Sequence, residues 1–160
     1  MNLFEFKSAK SVENWLSQDD PVMGGKSNSR LRFLAPGHVQ FEGRVSLENN
    51  GGFAQVKYDK TSFDLSAFSG LELRALGDRK NYQLRLTTTE NKTVYTQRFL
   101  ANENWHEHRL AFTDFKATYR GEALPDAPPL DTANIRSLGL MLSDKQAGEF
   151  CLMVSSLKAY

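Results

Sequence analysis

The sequence predicts an all-β protein, a jelly-roll β-sandwich of two antiparallel sheets with little helix. Three observations carry this. Apolar and polar residues alternate in run after run, as in Leu71-Glu72-Leu73-Arg74-Ala75 and Tyr82-Gln83-Leu84-Arg85-Leu86, which sends every second side chain to one face of a strand. Nearly every gap between the runs is made of turn residues. Many strands of similar length separated by turns suit two packed sheets better than alternating strand and helix units.

Taken in order, strands are expected at residues 29–34, 39–47, 53–58, 71–75, 82–86, 94–100, 106–112, 137–142 and 150–157. Ala35-Pro36-Gly37 suits a tight hairpin between the first two, and Asn49-Asn50-Gly51-Gly52 supplies residues that tolerate positive φ. Asn91-Lys92-Thr93 reads as another hairpin turn. Residues 8–16 and 64–68 could hold brief helical turns over a sheet edge. Residues 119–131 contain Gly121, Pro125, Pro128 and Pro129, so a long surface loop without a ladder is expected there.

A chain of 160 residues is expected to form one domain, residues 1–160, because two cores would each bury too little surface. The 20 basic and 19 acidic residues nearly balance, so net charge supplies no long-range field for a phosphate backbone and nucleic acid is an unsuitable partner. The single cysteine, Cys151, cannot close an intrachain disulfide, which suits a reducing compartment. Between Phe150 and Leu152 it reads as a buried small residue rather than a nucleophile. The first residues, Met1-Asn2-Leu3-Phe4-Glu5-Phe6-Lys7, have neither a basic start before an apolar run nor an Arg-rich, acid-poor composition, and no stretch reaches the length that spans a bilayer. Residence in the cytoplasm is the expectation.

The most distinctive segment is Asp19-Asp20-Pro21-Val22-Met23-Gly24-Gly25. Gly24 and Gly25 let the backbone bend sharply and present N–H groups, while Asp19 and Asp20 can accept hydrogen bonds or ligate a hard cation. Asp-Asp-Pro is also good turn chemistry, with Asp bonding its own backbone and Pro fixing φ, and on frequency alone the turn is the commoner use of such residues. Gly24-Gly25-Lys26-Ser27 lacks the upstream glycine of a phosphate-binding loop. With Lys26 and Ser27 the segment resembles the signature of the complex I intermediate-associated protein 30 family. Gly43 with Val45, Gly51-Gly52-Phe53, Tyr82-Gln83-Leu84-Arg85-Leu86, Trp105 leading to Phe112-Thr113-Asp114-Phe115, Arg120-Gly121, and Ile135-Arg136-Ser137-Leu138-Gly139-Leu140 follow the family's order across nearly the whole chain. The resemblance implies a galactose-binding-like jelly roll, related in shape to carbohydrate-binding modules, and a role in assembling respiratory complex I. Against the mitochondrial members, the absence of a transit peptide suggests a compact bacterial relative.

Within such a fold the candidate binding residues are the loop positions Asp19, Asp20, Met23, Gly24, Gly25 and Ser27, and the polar positions expected on a concave sheet face. Gln83 and Arg85 share one side of their strand, and Tyr95 and Gln97 form a matching pair on the next. Guanidinium, amide and aromatic groups together suit a sugar or a peptide. Trp105 opens a strand, either stacking on a ligand or packing the core, and Trp15 carries the same two readings. Arg120 is expected to cap Asp19 and Asp20 through a bidentate pair. His106 and His108 share a strand face, a spacing that can supply two metal ligands, but no third ligand is near in sequence. Asp144 and Glu149, flanking the last turn, are weak calcium candidates.

No catalytic constellation is visible, and no cofactor is implied. The sequence therefore predicts a non-catalytic binding domain resembling a complex I assembly factor, with a protein client that includes respiratory-complex subunits. The alternative is a carbohydrate-binding module using the concave face.

Overall fold

The computed structural model describes residues 2–17, 28–35, 37–47, 52–59, 62–88, 93–144 and 146–160. Along them run strands β1 (Asn2–Glu5), β2 (Trp15–Ser17), β3 (Asn28–Leu34), β4 (His38–Val45), β5 (Ala54–Tyr58), β6 (Gly70–Leu76), β7 (Asn81–Thr87), β8 (Val94–Leu100), β9 (His106–Ala111), β10 (Lys116–Tyr119), β11 (Glu122–Ala123), β12 (Ser137–Leu142) and β13 (Gly148–Ala159). They build two antiparallel sheets: a six-stranded one in the order β3-β4-β13-β6-β9, with β1 added alongside β13, and a seven-stranded one in the order β11-β10-β8-β7-β12-β5-β2. This is the jelly-roll sandwich predicted from the alternation.

The alternating residues decide the inner faces. Val39, Phe41, Leu71, Leu73, Leu152 and Val154 of one sheet and Val56, Leu84, Leu86, Leu138 and Leu142 of the other are fully or almost fully buried. Each such side chain contributes roughly 1.5–3 kcal/mol on leaving water. Aromatic rings join the sheets: Phe41 and Phe150 lie 4.9 Å apart and meet Tyr82 of the opposite sheet at 6.3 and 6.4 Å. The expected hairpin between β3 and β4 forms, with Leu34 opposite His38.

Four short strands lie outside the expected set. Residues 8–16 hold only a 3-10 turn at Ala9–Val12, and the chain then enters β2, because β5 offers an open edge whose backbone groups Trp15, Leu16 and Ser17 can pair. β1 likewise adds to a free stretch of β13. The expected loop at 119–131 begins instead with a hairpin: Tyr119 pairs with Glu122, and Arg120 and Gly121 take positive φ of 49° and 82° at its tip. The prolines lie beyond that ladder, so they do not interrupt it. Residues 64–68 form no helix, since the Asp64 carboxylate accepts from the Ser66 N–H and hydroxyl and stabilises a turn.

One carboxylate clasps the two sheets together at one end. Asp78, between β6 and β7, accepts from the Tyr82 hydroxyl at 3.0 Å to both oxygens and from the Cys151 N–H of β13 at 2.9 Å. Tyr82 is wholly buried, so its hydroxyl needs this acceptor. Burial, reinforced by the Asp78 charge, pushes the Tyr82 phenol well above its ordinary range, so it acts as a donor only. Cys151 is only half-buried, facing outward opposite Glu42 rather than into the core as its neighbours suggested. Burial, with Glu42 and Asp78 nearby, raises its thiol pKa.

Asp78→Ala leaves the Tyr82 hydroxyl and the Cys151 N–H without their acceptor. A loss on the order of 3 kcal/mol is expected, read as a lower urea midpoint with unchanged slope. A midpoint equal to wild type would show that the clasp carries no net stability.

Candidate functional site

The register of the seven-stranded sheet assembles a row of outward side chains. Leu16 of β2 stands opposite Lys57 of β5, Lys57 opposite Gly139 of β12, Gly139 opposite Arg85 of β7, Arg85 opposite Thr96 of β8, and Thr96 opposite Lys116 of β10. Three cations therefore lie on one line across the sheet. Beside it runs a second row, Gln55, Met141, Gln83 and Arg98. Where Gly139 contributes no side chain, the face has a hollow of about 190 Å3, lined by Lys57, Arg85, Thr87, Ser137 and neighbours.

Arg85 is the distinctive charge. Its Nη1 reaches the Gln83 Oε1 at 3.4 Å and the Met141 sulfur at 2.9 Å, both neutral partners. Burial lowers its pKa, and among the described residues no negative group offsets the lost water. Asp144 is the acid at the end of this face, and both its oxygens are engaged by Arg98 at 2.9 Å. Gln83, nearly buried, donates to the Ser143 hydroxyl at 3.0 Å.

Of the expected face residues, the structure brings together Gln83 and Arg85 but not Tyr95 and Gln97. Those two are correctly paired with each other, yet they stand opposite Leu86 and Leu84 and so point into the sandwich. The Tyr95 hydroxyl donates to the Pro128 carbonyl at 2.7 Å, and the Gln97 amide to the Ala111 carbonyl at 3.0 Å; both anchor neighbouring chain. Their places on the face go to Thr96 and Arg98. The strand period could not show this, because it leaves the phase of each strand open.

Trp105 belongs to the other sheet: it is half-buried, with the Arg74 guanidinium 4.7 Å over its ring and His38 against it at 5.7 Å. Trp15 packs among Phe4, Phe6 and Tyr58. Arg120, exposed at its hairpin tip, lies 5.4 Å over Tyr119. The expected loop residues Asp19, Asp20, Met23, Gly24, Gly25 and Ser27 lie outside the described residues. Asp144 is committed to Arg98, and Glu149 is exposed at the start of β13. Among the described residues no three His, Cys, Asp or Glu side chains converge. A larger hollow of about 640 Å3 lies between β3, β4, β13 and the Asp78 turn; in it Arg30 pairs with Glu42 and Lys80 with Asp78, and Arg44 stands opposite Glu149 across the β4–β13 ladder. Lys57, Thr87, Thr96 and Lys116 were not singled out from the sequence, and Gly139 only as part of the motif at residues 135–140; their place on one face needs the register to read.

Against this geometry stand the comparisons with known proteins. The model of the family described as Complex I intermediate-associated protein 30 matches residues 4–154. The chain belongs to that family. This family member is 25% identical over 175 residues to an uncharacterized protein of Schizosaccharomyces pombe, covering 92% of this chain and 80% of that one. It is 24% identical over 184 residues to the Mus musculus protein named Complex I intermediate-associated protein 30, mitochondrial, covering 99% of this chain but 55% of the mouse protein. The chain thus spans little more than half of that relative. Among solved structures, a family 11 carbohydrate-binding module of a cellulosomal cellulase of Clostridium thermocellum superposes with a TM-score of 0.75 at 15% identity, covering 98% of this chain and 92% of the module. The Clostridium thermocellum module in complex with a β-1,3-1,4-mixed-linked tetrasaccharide gives 0.71 at 15%, covering 99% and 93%. At that identity the likeness is one of fold. Among the described residues no helix is long and apolar enough to cross a membrane.

The paired histidines of this family member have a structural consequence. Their rings lie 4.7 Å apart, and His108 packs on Phe99 at 5.0 Å with its Nε2 buried and unbonded. Burial, with His106 adding to it, lowers the His108 pKa below its ordinary 6.5. A depressed folded-state pKa means that the unfolded chain takes up the proton first. Stability is therefore full above about pH 6.5 and is lost as pH falls through the folded-state pKa. His108→Phe should flatten that acid loss, measured as urea midpoints at pH 7.5 and pH 5; an equal loss in both proteins would assign it to other groups.

Proposed function

We propose that this chain is a non-catalytic binding domain, acting as one unit over residues 1–160, that holds a protein client in the manner of an assembly chaperone. The observation that carries the reading is the outward row of Lys57, Gly139, Arg85, Thr96 and Lys116, an extended cationic face whose central guanidinium has no acid partner among the described residues. Family membership supports it, as does the name of the mouse relative, which associates that protein with a complex I intermediate. On this reading the client is a subunit or intermediate of a respiratory complex, met from the cytoplasmic side. The loop from Asp19 to Gly25 is proposed to adjoin the client.

A sugar is the second reading, favoured by the shared fold with a module solved around a tetrasaccharide. The described outward positions argue for a peptide instead. Sugar rings are held by stacking on aromatic faces, and the two outward rows across the middle of this sheet hold Lys57, Gly139, Arg85, Thr96, Lys116, Gln55, Met141, Gln83 and Arg98 with no ring among them, while Tyr95 is turned inward and the exposed Tyr119 stands at the sheet's far end.

Affinity capture from native cells under gentle conditions should retrieve respiratory-complex subunits or their intermediates. Thr96→Trp, which places a bulky ring mid-row without touching the core, should abolish capture while changing stability by only about 0.5 kcal/mol. Failure to retrieve any reproducible protein partner would sink the protein-client reading, and a glycan-array signal lost on Arg85→Ala would replace it with the carbohydrate one.

A further inference from the structure

We infer that the hollow between Lys57 and Arg85 is a receptor for one carboxylate, an acidic side chain presented by the bound protein. The inference rests on the reading that this face holds a protein client, and it names the chemistry by which the client is held.

The first support is an imbalance of charge. Arg30 and Arg32 pair with Glu42, Arg74 with Glu107, Arg79 with Glu103, Arg98 with Asp144 and Arg109 with Glu72. Among the described residues the arginines without a carboxylate are Arg44, Arg85, Arg120 and Arg136. Three of these are exposed to water, and Arg85 is not. The guanidinium that has lost most hydration is thus one that lacks compensation. Burying a charge without a counter-charge costs stability, so the arrangement is unfavourable until an anion arrives.

The second support is geometric. A guanidinium presents its Nε and Nη2 hydrogens as a fork that matches the two oxygens of a carboxylate. In Arg85 both recorded bonds use Nη1, so the Nε and Nη2 fork has no partner among the described residues. Gly139, directly opposite, leaves that fork approachable: a Cβ there would stand 3.9 Å from the Arg85 Cβ and 3.1 Å from the Val56 carbonyl, on the line between Arg85 and Lys57. Thr87 and Ser137 share a single close hydrogen bond at the rim, which leaves one of the two hydroxyl protons to donate. Among the described residues no carboxylate lines the hollow. Two cations, a free fork and a hydroxyl donor form a complement for an oxoanion.

Phosphate shares this chemistry, and the test separates the two. Arginine side-chain Nε–H and backbone amide resonances of the full chain are followed by NMR during titration with a blocked tetra-glutamate peptide, a blocked tetra-glutamine peptide and inorganic phosphate. The expected result is a saturable shift at Arg85 Nε–H and Gly139 with tetra-glutamate, at least about tenfold tighter than with tetra-glutamine and weakening with salt. Arg85→Gln should abolish it with amide dispersion preserved, and Lys57→Gln should weaken it. Equal tetra-glutamate shifts in wild type and Arg85→Gln would overturn the inference, as would saturation by phosphate with no response to the peptide. Capture of the client distinguishes the two levels. If wild type captures a partner and Arg85→Gln captures it equally, the carboxylate receptor fails while the binding face stands. If wild type captures nothing, the face itself fails, whatever the peptide does.

Discussion

The backbone ladder of β13 is the constraint on which the rest of the six-stranded sheet depends. Residues 148–154 pair with β4, 153–159 with β6, and the stretch beyond β4 is taken by β1. Its inward residues Phe150, Leu152, Val154, Leu157 and Ala159 run the length of the core. A register shift near Ser155 lets one strand serve neighbours of different phase, which a regular ladder would forbid. Asp78 then couples this strand to the opposite sheet by accepting from the Cys151 N–H and from Tyr82 at once.

Two charged groups of the sandwich show opposite solutions to desolvation. Asp78 is surrounded by donors, the Tyr82 hydroxyl, two backbone N–H groups and Lys80, so its oxygens find their partners within the fold. Arg85 stands on the central strand of a polar face with only an amide oxygen and a thioether. The first arrangement completes a structure; the second leaves an interaction unmade. The outer face of the six-stranded sheet resembles the first case, since Glu72 there is held by Lys158 and Arg109, and Glu42 by Arg32 and Arg30. That contrast is the support for proposing the seven-stranded face as the binding face.

Long alternating runs were legible because a half-buried strand writes its period directly into residue type, and the nine expected strands form within a residue or two of their expected ends. β2 and β11 are too short to write any period. Trp15, Leu16 and Ser17 extend because β5 has an unpaired edge, a tertiary circumstance that overrides a weak local preference for a helical turn. Residues 119–131 read as a loop without a ladder, and the hairpin that Arg120 and Gly121 close there depends on β10 first pairing with β8.

The sequence by itself determined the class of fold and, through the order of its family motifs, the family, because side-chain alternation and turn residues are local properties of the chain. It also determined that Gln83 and Arg85 share a face, since that follows from one strand alone. What only the tertiary structure decided was phase between strands. Shifting a strand by one residue exchanges its two faces, and nothing within residues 94–100 states whether Tyr95 and Gln97 or Thr96 and Arg98 look outward. The pairing of Arg85 with Thr96 and Gly139 settled that, turned the tyrosine into an anchor for Pro128, and set Lys57 across a glycine position from the Arg85 guanidinium.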